Sequence, residues 1–199
     1  MRLIDVLLPV RCARCGEPPL SPCAHCLAAL DEAPMLPVPN GLDSLTALTA
    51  YNDRSALFIT EAKYRNSRAT LGVLMRWAVE LTPPAVSLAD AVTWAPTTDA
   101  RRRERGFDQA QILARHAARR LGRPLRSLLR RQPGPTQTGR SRADRLTGPS
   151  FRSAGSPCAV VLVDDVCTTG ATLTAAATAL RHAGAGTIHG LVLARTPQR

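Results

Sequence analysis

Apolar residues fall into two patterns along the chain. Short apolar runs at 45–51, 91–95, 160–163 and 187–194 are too brief for helices and rich enough in Val, Leu, Ile and Thr to read as buried strands. Between them, apolar positions recur at helical spacing. One helix starts at Asn52 or Asp53 and reaches Lys63-Tyr64-Arg65, and a second runs over 69–81. The second buries Leu71, Leu74, Met75, Ala78 and Leu81 before Pro83-Pro84 stops it. A third covers 111–121, with Phe107, Ala110, Leu113, Ala114, Ala117 and Leu121 as its apolar face and Gly122 as its end. A fourth carries Leu173, Ala176, Ala177, Leu180 and Ala183 up to Gly184. Residues 125–129 read as a further strand. Strands alternating with helices predict an α/β protein. Proline and small polar residues at 34–41 mark a linker, so we expect an appendage over 1–40 and the main domain over 41–199.

The run at 160–163 leads into Asp164-Asp165, then Thr168-Thr169-Gly170-Ala171-Thr172 and the start of a helix. This predicts a strand, a functional loop and a helix, and the end of a strand in an open α/β sheet is a natural ligand crevice. The N–H groups of the loop and the positive end of the helix dipole favour an anion such as phosphate. Two carboxylates repel phosphate and need sugar hydroxyls or a divalent metal instead. A phosphorylated sugar satisfies both halves. The stretch is neither a Gly-Lys-Ser/Thr phosphate loop nor a Gly-x-Gly-x-x-Gly dinucleotide turn. The competing reading is an Asp-rich turn with a threonine cap.

Charge adds a second half to this picture. The net charge is +11, and residues 101–152 hold fifteen arginines against Glu104, Asp108 and Asp144. The strand at 91–95 ends in Pro96-Thr97-Thr98-Asp99, a candidate second anion loop, and Arg101, Arg102, Arg103 and Arg105 follow beside the amino end of the helix at 111–121. Cations are unfavourable there, so a bound diphosphate would relieve them. Arginine in such excess also suits a nucleic acid, or reflects composition alone, since the chain has a single lysine, Lys63. That lysine is a surface residue or an anion contact. Residues 130–140, rich in Pro and Gly and carrying Thr136, Gln137 and Arg140, read as a flexible loop, either an active-site hood or a plain surface loop.

Cys12, Cys15, Cys23 and Cys26 form a C-x2-C, x7, C-x2-C array whose spacing predicts a tetrahedral four-thiolate zinc site. A redox-active dithiol and four separately buried cysteines are the competing readings. His25 is a further potential ligand, and Arg11 and Arg14 would offset the charge of a four-thiolate centre. No apolar run reaches membrane-spanning length, and the first ten residues carry Asp5 and Pro9 rather than a secretion signal. We therefore expect a cytoplasmic protein with no membrane insertion.

Taken together, the double Cys-x-x-Cys, the Lys63-Tyr64 pair, Arg105-Gly106-Phe107-Asp108-Gln109, Thr136-Gln137 with Arg145, and Val163-Asp164-Asp165-Val166 resemble the ComF (competence protein F, or GntX) family of phosphoribosyltransferase-like proteins. That family usually carries asparagine at the positions of Asp108 and Thr147. The resemblance implies a type I phosphoribosyltransferase-like fold, a parallel sheet flanked by helices with a small N-terminal zinc ribbon, and a link to natural competence. It also implies roles. Asp164 and Asp165 would hold the ribose hydroxyls of phosphoribosyl pyrophosphate (PRPP), directly or through magnesium. Thr168, Thr169, Gly170, Ala171 and Thr172 would hold its 5′-phosphate. Pro96, Thr97, Thr98 and Asp99, with Arg101, Arg102 and Arg105, would hold pyrophosphate. Whether the ribosyl group is transferred, and to what acceptor, stays open. So does a non-catalytic module that responds to PRPP and binds single-stranded DNA, beside a DNA-uptake helicase or channel.

Overall fold

The structure, a computed structural model, describes residues 10–64, 68–132 and 149–197. The expectations for Thr136, Gln137, Arg140, Arg145 and Thr147, and for the Lys63 and Tyr64 side chains, lie outside the described residues. Among the described residues four parallel strands form the main sheet: β1 (Ser44–Ala50), β2 (Ala91–Trp94), β5 (Ala159–Cys167) and β6 (Thr187–Arg195), in the order β1-β6-β5-β2. The short pair β3 (Arg130–Arg131) and β4 (Phe151–Arg152) is antiparallel and separate.

The central strands read as continuous apolar runs because both faces are covered. Within β5 and β6 alternate residues serve opposite cores. Val161, Val163, Leu191 and Leu193 pack with Phe58, Ile59, Leu71, Met75, Leu113 and Ala117, which belong to α2 (Asp53–Tyr64), α3 (Arg68–Glu80) and α5 (Gln109–Leu121). Val160, Leu162, Ile188 and Val192 face the other way, onto Leu173, Ala176, Ala177 and Leu180 of α6 (Ala171–His182). The chain therefore leaves β2 toward one face, through α4 (Asp99–Arg105) into α5, and leaves β5 toward the other, into α6. That divergence opens a crevice at the carboxyl ends of β2 and β5.

The helices at 53–64, 68–80, 109–121 and 171–182 meet the sequence expectation closely. Residues 125–129 do not form a strand. They run along β2, held by Val92 N–H to Pro124 O (2.9 Å) and Arg126 N–H to Val92 O (2.9 Å), with one isolated parallel bridge at Leu125. Pro124 has no N–H to continue a ladder, and Leu128 N–H turns to the Thr93 hydroxyl at 3.4 Å.

Residues 10–39 lie against the sheet domain. Cys12, Cys23 and Cys26 belong to the same apolar core as Phe58 and Ile59. The buried Ser21 hydroxyl donates to Glu61 at 3.0 Å and accepts Ala13 N–H at 3.2 Å. Further along, Asp31 O receives the N–H of Ala50 and the hydroxyl of Thr49, and Arg195 at the end of β6 donates to the carbonyls of Leu36 and Pro37.

Candidate active site

β5 outruns its neighbour. β2 pairs with it only as far as Trp94↔Val163, Ala95 N–H still donates to Val163 O at 3.0 Å, and the chain then turns away at Pro96. On its other side β6 keeps pairing through Cys167↔Arg195. Asp164 and Asp165 therefore belong to the strand itself and not to a loop, because one neighbour holds them in extended geometry after the other has left. Each half-buried carboxylate accepts the next backbone N–H: Asp165 N–H to Asp164 Oδ1 at 2.8 Å, and Val166 N–H to Asp165 Oδ1 at 2.7 Å.

The loop is only Thr168-Thr169-Gly170. Gly170 adopts φ +78°, and a Cβ there would meet Pro39 Cγ at 2.9 Å. Glycine is required on both counts. Thr169 Oγ1 accepts Ala171 N–H at 3.3 Å, and α6 begins with no acidic residue in its first turn. Its unpaired N–H groups thus make an anion-favouring end. Cys167 beneath the loop is buried. Its thiol is pushed up by burial, with Asp164 adding and Arg195 opposing, which makes it a poor nucleophile.

The opposite wall comes from residues 95–110. Thr98 caps α4 by accepting Arg101 N–H at 3.2 Å, and Gly106 ends it in a left-handed turn. The arginines thus ride on their own seven-residue helix, where the sequence placed them beside the next one. Gly106 separates the two helices, so α5 needs its own cap. Asp108 provides it. This buried carboxylate accepts Gln111 N–H at 3.4 Å and, across the turn, Thr97 N–H at 3.0 Å, tying the 95–98 loop to α5. Burial raises its pKa, with the backbone N–H groups of Thr97 and Gln111 opposing.

These walls enclose one pocket of about 440 Å³, within the usual range for small-molecule sites. Of the residues singled out from sequence, Asp164, Asp165, Thr168, Thr172, Pro96, Thr97, Arg101 and Arg105 line it. Thr98, Asp99, Arg102, Thr169, Gly170 and Ala171 do not. Arg102 pairs with Asp99 at 3.0 Å on the exposed side of α4, and the others shape the turns. Four polar lining residues were given no site role from sequence: Tyr51, Asp108, Gln109 and Arg131. Arg131 fell inside the 130–140 loop expectation but stands on β3. There it donates to Pro96 O at 3.3 Å and lies over the Phe151 ring at 5.5 Å. Burial, then Arg101, works against its charge, while Asp164 and Asp108 favour it. Asp108 had a sequence signal, a capping residue before an amphipathic helix. Tyr51 had none, since its position depends on β1 lying beside β6.

The four array cysteines also meet. Their Sγ atoms all lie within 4.8 Å of one another, and Cys15 and Cys23 are 3.6 Å apart. A tetrahedral zinc with Zn–S of about 2.3 Å needs sulfur separations of about 3.8 Å, so the cluster fits the metal. Gly16 N–H to Cys12 O (2.8 Å) closes the first turn, and α1 (Ala24–Ala28) begins right after Cys23. Burial raises the Cys12 thiol, but the N–H groups of Cys23, Cys15 and Arg14 outweigh it and lower the pKa to about 6. Burial and the neighbouring thiols push Cys26 up to about 12. His25 is exposed and is not part of the cluster.

Residues 108–199 match the family model of the phosphoribosyl transferase domain, a span from Asp108 through β5, α6 and β6. Among solved structures, orotate phosphoribosyltransferase from Aeropyrum pernix is similar at 22% identity and TM-score 0.39, over 66% of this chain and 60% of that one. No curated protein matches. The chain thus has an α/β fold with a parallel sheet flanked by helices, and its residues 108–199 are similar to the phosphoribosyl transferase domain.

Proposed function

We propose that the pocket binds PRPP with magnesium. One observation carries this: a single cavity sets two adjacent carboxylates at a strand end against Arg101, Arg105 and Arg131, beside a helix start free of acids. Asp164 and Asp165 hold the ribose hydroxyls, directly or through Mg2+. Thr168, Thr172 and the first N–H groups of α6 hold the 5′-phosphate, with Thr169, Gly170 and Ala171 shaping the cradle. Pro96 and Thr97, with Arg101, Arg105 and Arg131, receive pyrophosphate, while Thr98 and Asp99 shape the turn and Arg102 stays outside in its pair with Asp99.

Magnesium bound to the carboxylates and diphosphate would neutralise the departing charge. The guanidiniums do the same from the other wall as positive charge develops on the sugar carbon. The lining carboxylates Asp164 and Asp165 face this positive charge, and Asp108 is held by backbone N–H groups, so among the described residues neither wall supplies a dedicated base for an acceptor. The acceptor must bring its own nucleophile. The cysteine cluster holds structural zinc and fixes residues 10–30 against α2.

The ComF resemblance extends this proposal to a cytoplasmic role in DNA uptake. A second reading, a non-catalytic PRPP sensor that binds single-stranded DNA, is favoured by the exposed Arg102 and Arg103 on α4. Incubation with PRPP and Mg2+, with and without nucleobases and single-stranded DNA, decides between them when pyrophosphate release is followed. Acceptor-dependent release supports a transferase, PRPP binding without release supports the sensor, and failure to bind PRPP contradicts both.

A further inference from the structure

Gln109, the first residue of α5, lines the pocket between Asp108 and Ala110, yet is only 4% exposed. Among the described residues neither Oε1 nor Nε2 of its side chain has a hydrogen-bond partner. A primary amide taken from water with both atoms unmatched is unfavourable, and such groups in folded proteins call for a partner. Two of the polar side chains that share the pocket with it are engaged elsewhere. The Asp108 carboxylate receives Thr97 and Gln111 N–H, and Arg131 donates to Pro96 O. An apolar side chain of the same length would fill the space without this penalty.

The chemistry of the amide restricts its ligand. Nε2 needs an acceptor and Oε1 needs a donor. Phosphate and pyrophosphate oxygens only accept, and Arg101, Arg105 and Arg131 already offer them donors. In PRPP with ionised phosphates, the donors are the ribose hydroxyls, each of which also accepts.

We propose that Gln109 is a specificity-determining residue that shares the ribose hydroxyls of the bound sugar with Asp164 and Asp165, Oε1 accepting the hydrogen of one hydroxyl, which the carboxylates then do not receive, and Nε2 donating to a sugar oxygen. This rests on the pocket being a PRPP site. The two ideas separate experimentally. Gln109→Met keeps the length and removes both polar atoms, and calorimetry with PRPP, ribose 5-phosphate and inorganic pyrophosphate, each with Mg2+, compares it with the unmodified protein. Affinity for PRPP and ribose 5-phosphate is expected to fall about 10-fold, the scale of one lost buried hydrogen bond, while pyrophosphate affinity stays within about 2-fold. The unliganded variant is expected to melt no lower than the unmodified protein, because an unmatched amide has gone. Equal losses for all three ligands, or no loss for any, overturn the proposal. A lower melting temperature, or failure to fold, overturns it too, by making the amide a structural element. If the unmodified protein binds no PRPP, the assignment of the pocket falls, and this inference with it.

Discussion

Asp108 shows how much one side chain decides in this site. It caps α5 and holds the Thr97 N–H, so it sets the distance between the 95–98 loop and the helix. Its pKa is raised above the ordinary 3.8 chiefly by burial, so between those two values the folded state binds more protons than the unfolded chain. Stability therefore falls as pH climbs through that window, and the penalty remains at neutral pH. Asp108→Asn removes the titrating group and keeps one oxygen for the Gln111 N–H, but it sets its NH2 against the Thr97 N–H, donor against donor. We expect its acid-side pH dependence to flatten and its melting temperature at pH 7 to fall by a few degrees. Thermal scans from pH 3 to 8 check this, and an unchanged acid-side dependence contradicts it. Gly170 is the opposite case, fixed by φ +78° and by Pro39. Gly170→Val is expected to cost about 1–3 kcal/mol, measurable by denaturant unfolding. The place of Asp164 and Asp165 near a strand end and of Gly170 before a helix was legible in the sequence because it depends on local pattern. Gln109 and Tyr51 were not, since their place in the pocket depends on how β1, β5 and α5 pack.

At the scale of elements, the sequence misplaced three boundaries for physical reasons. β5 runs on to Cys167 because β6 keeps pairing with it, so the aspartates are strand residues. α4 stands as a separate helix because Thr98 caps it and Gly106 ends it. Residues 125–129 follow β2 without becoming a strand, as Pro124 lacks a donor. The cysteine segment was legible from spacing alone, and its packing was not. Cys12, Cys23 and Cys26 share a core with Phe58 and Ile59, so loosening the ribbon exposes α2 as well. About one zinc per chain is expected by elemental analysis of anaerobically purified protein, and chelation or Cys26→Ser should lower the melting temperature by several degrees. Metal-free protein of unchanged stability would contradict this.

For the whole molecule, alternating strands and helices revealed the fold class, while the order β1-β6-β5-β2 follows from which faces the helices cover. The arginine excess divides accordingly. Arg101, Arg105 and Arg131 turn into the pocket, and Arg102 and Arg103 face solvent on α4. If single-stranded DNA binds this face, Arg102→Ala with Arg103→Ala should reduce the slope of log affinity against log salt by about 1.4, and an unaltered slope places the contact elsewhere.

We propose that the end of β5 recognises PRPP with magnesium. Calorimetric titration of PRPP and Mg2+ into the unmodified protein and into Asp164→Asn with Asp165→Asn tests it most directly. Saturable binding is expected, which the double variant abolishes while its fold, followed by circular dichroism, stays intact. Equal affinity in the two proteins would contradict it.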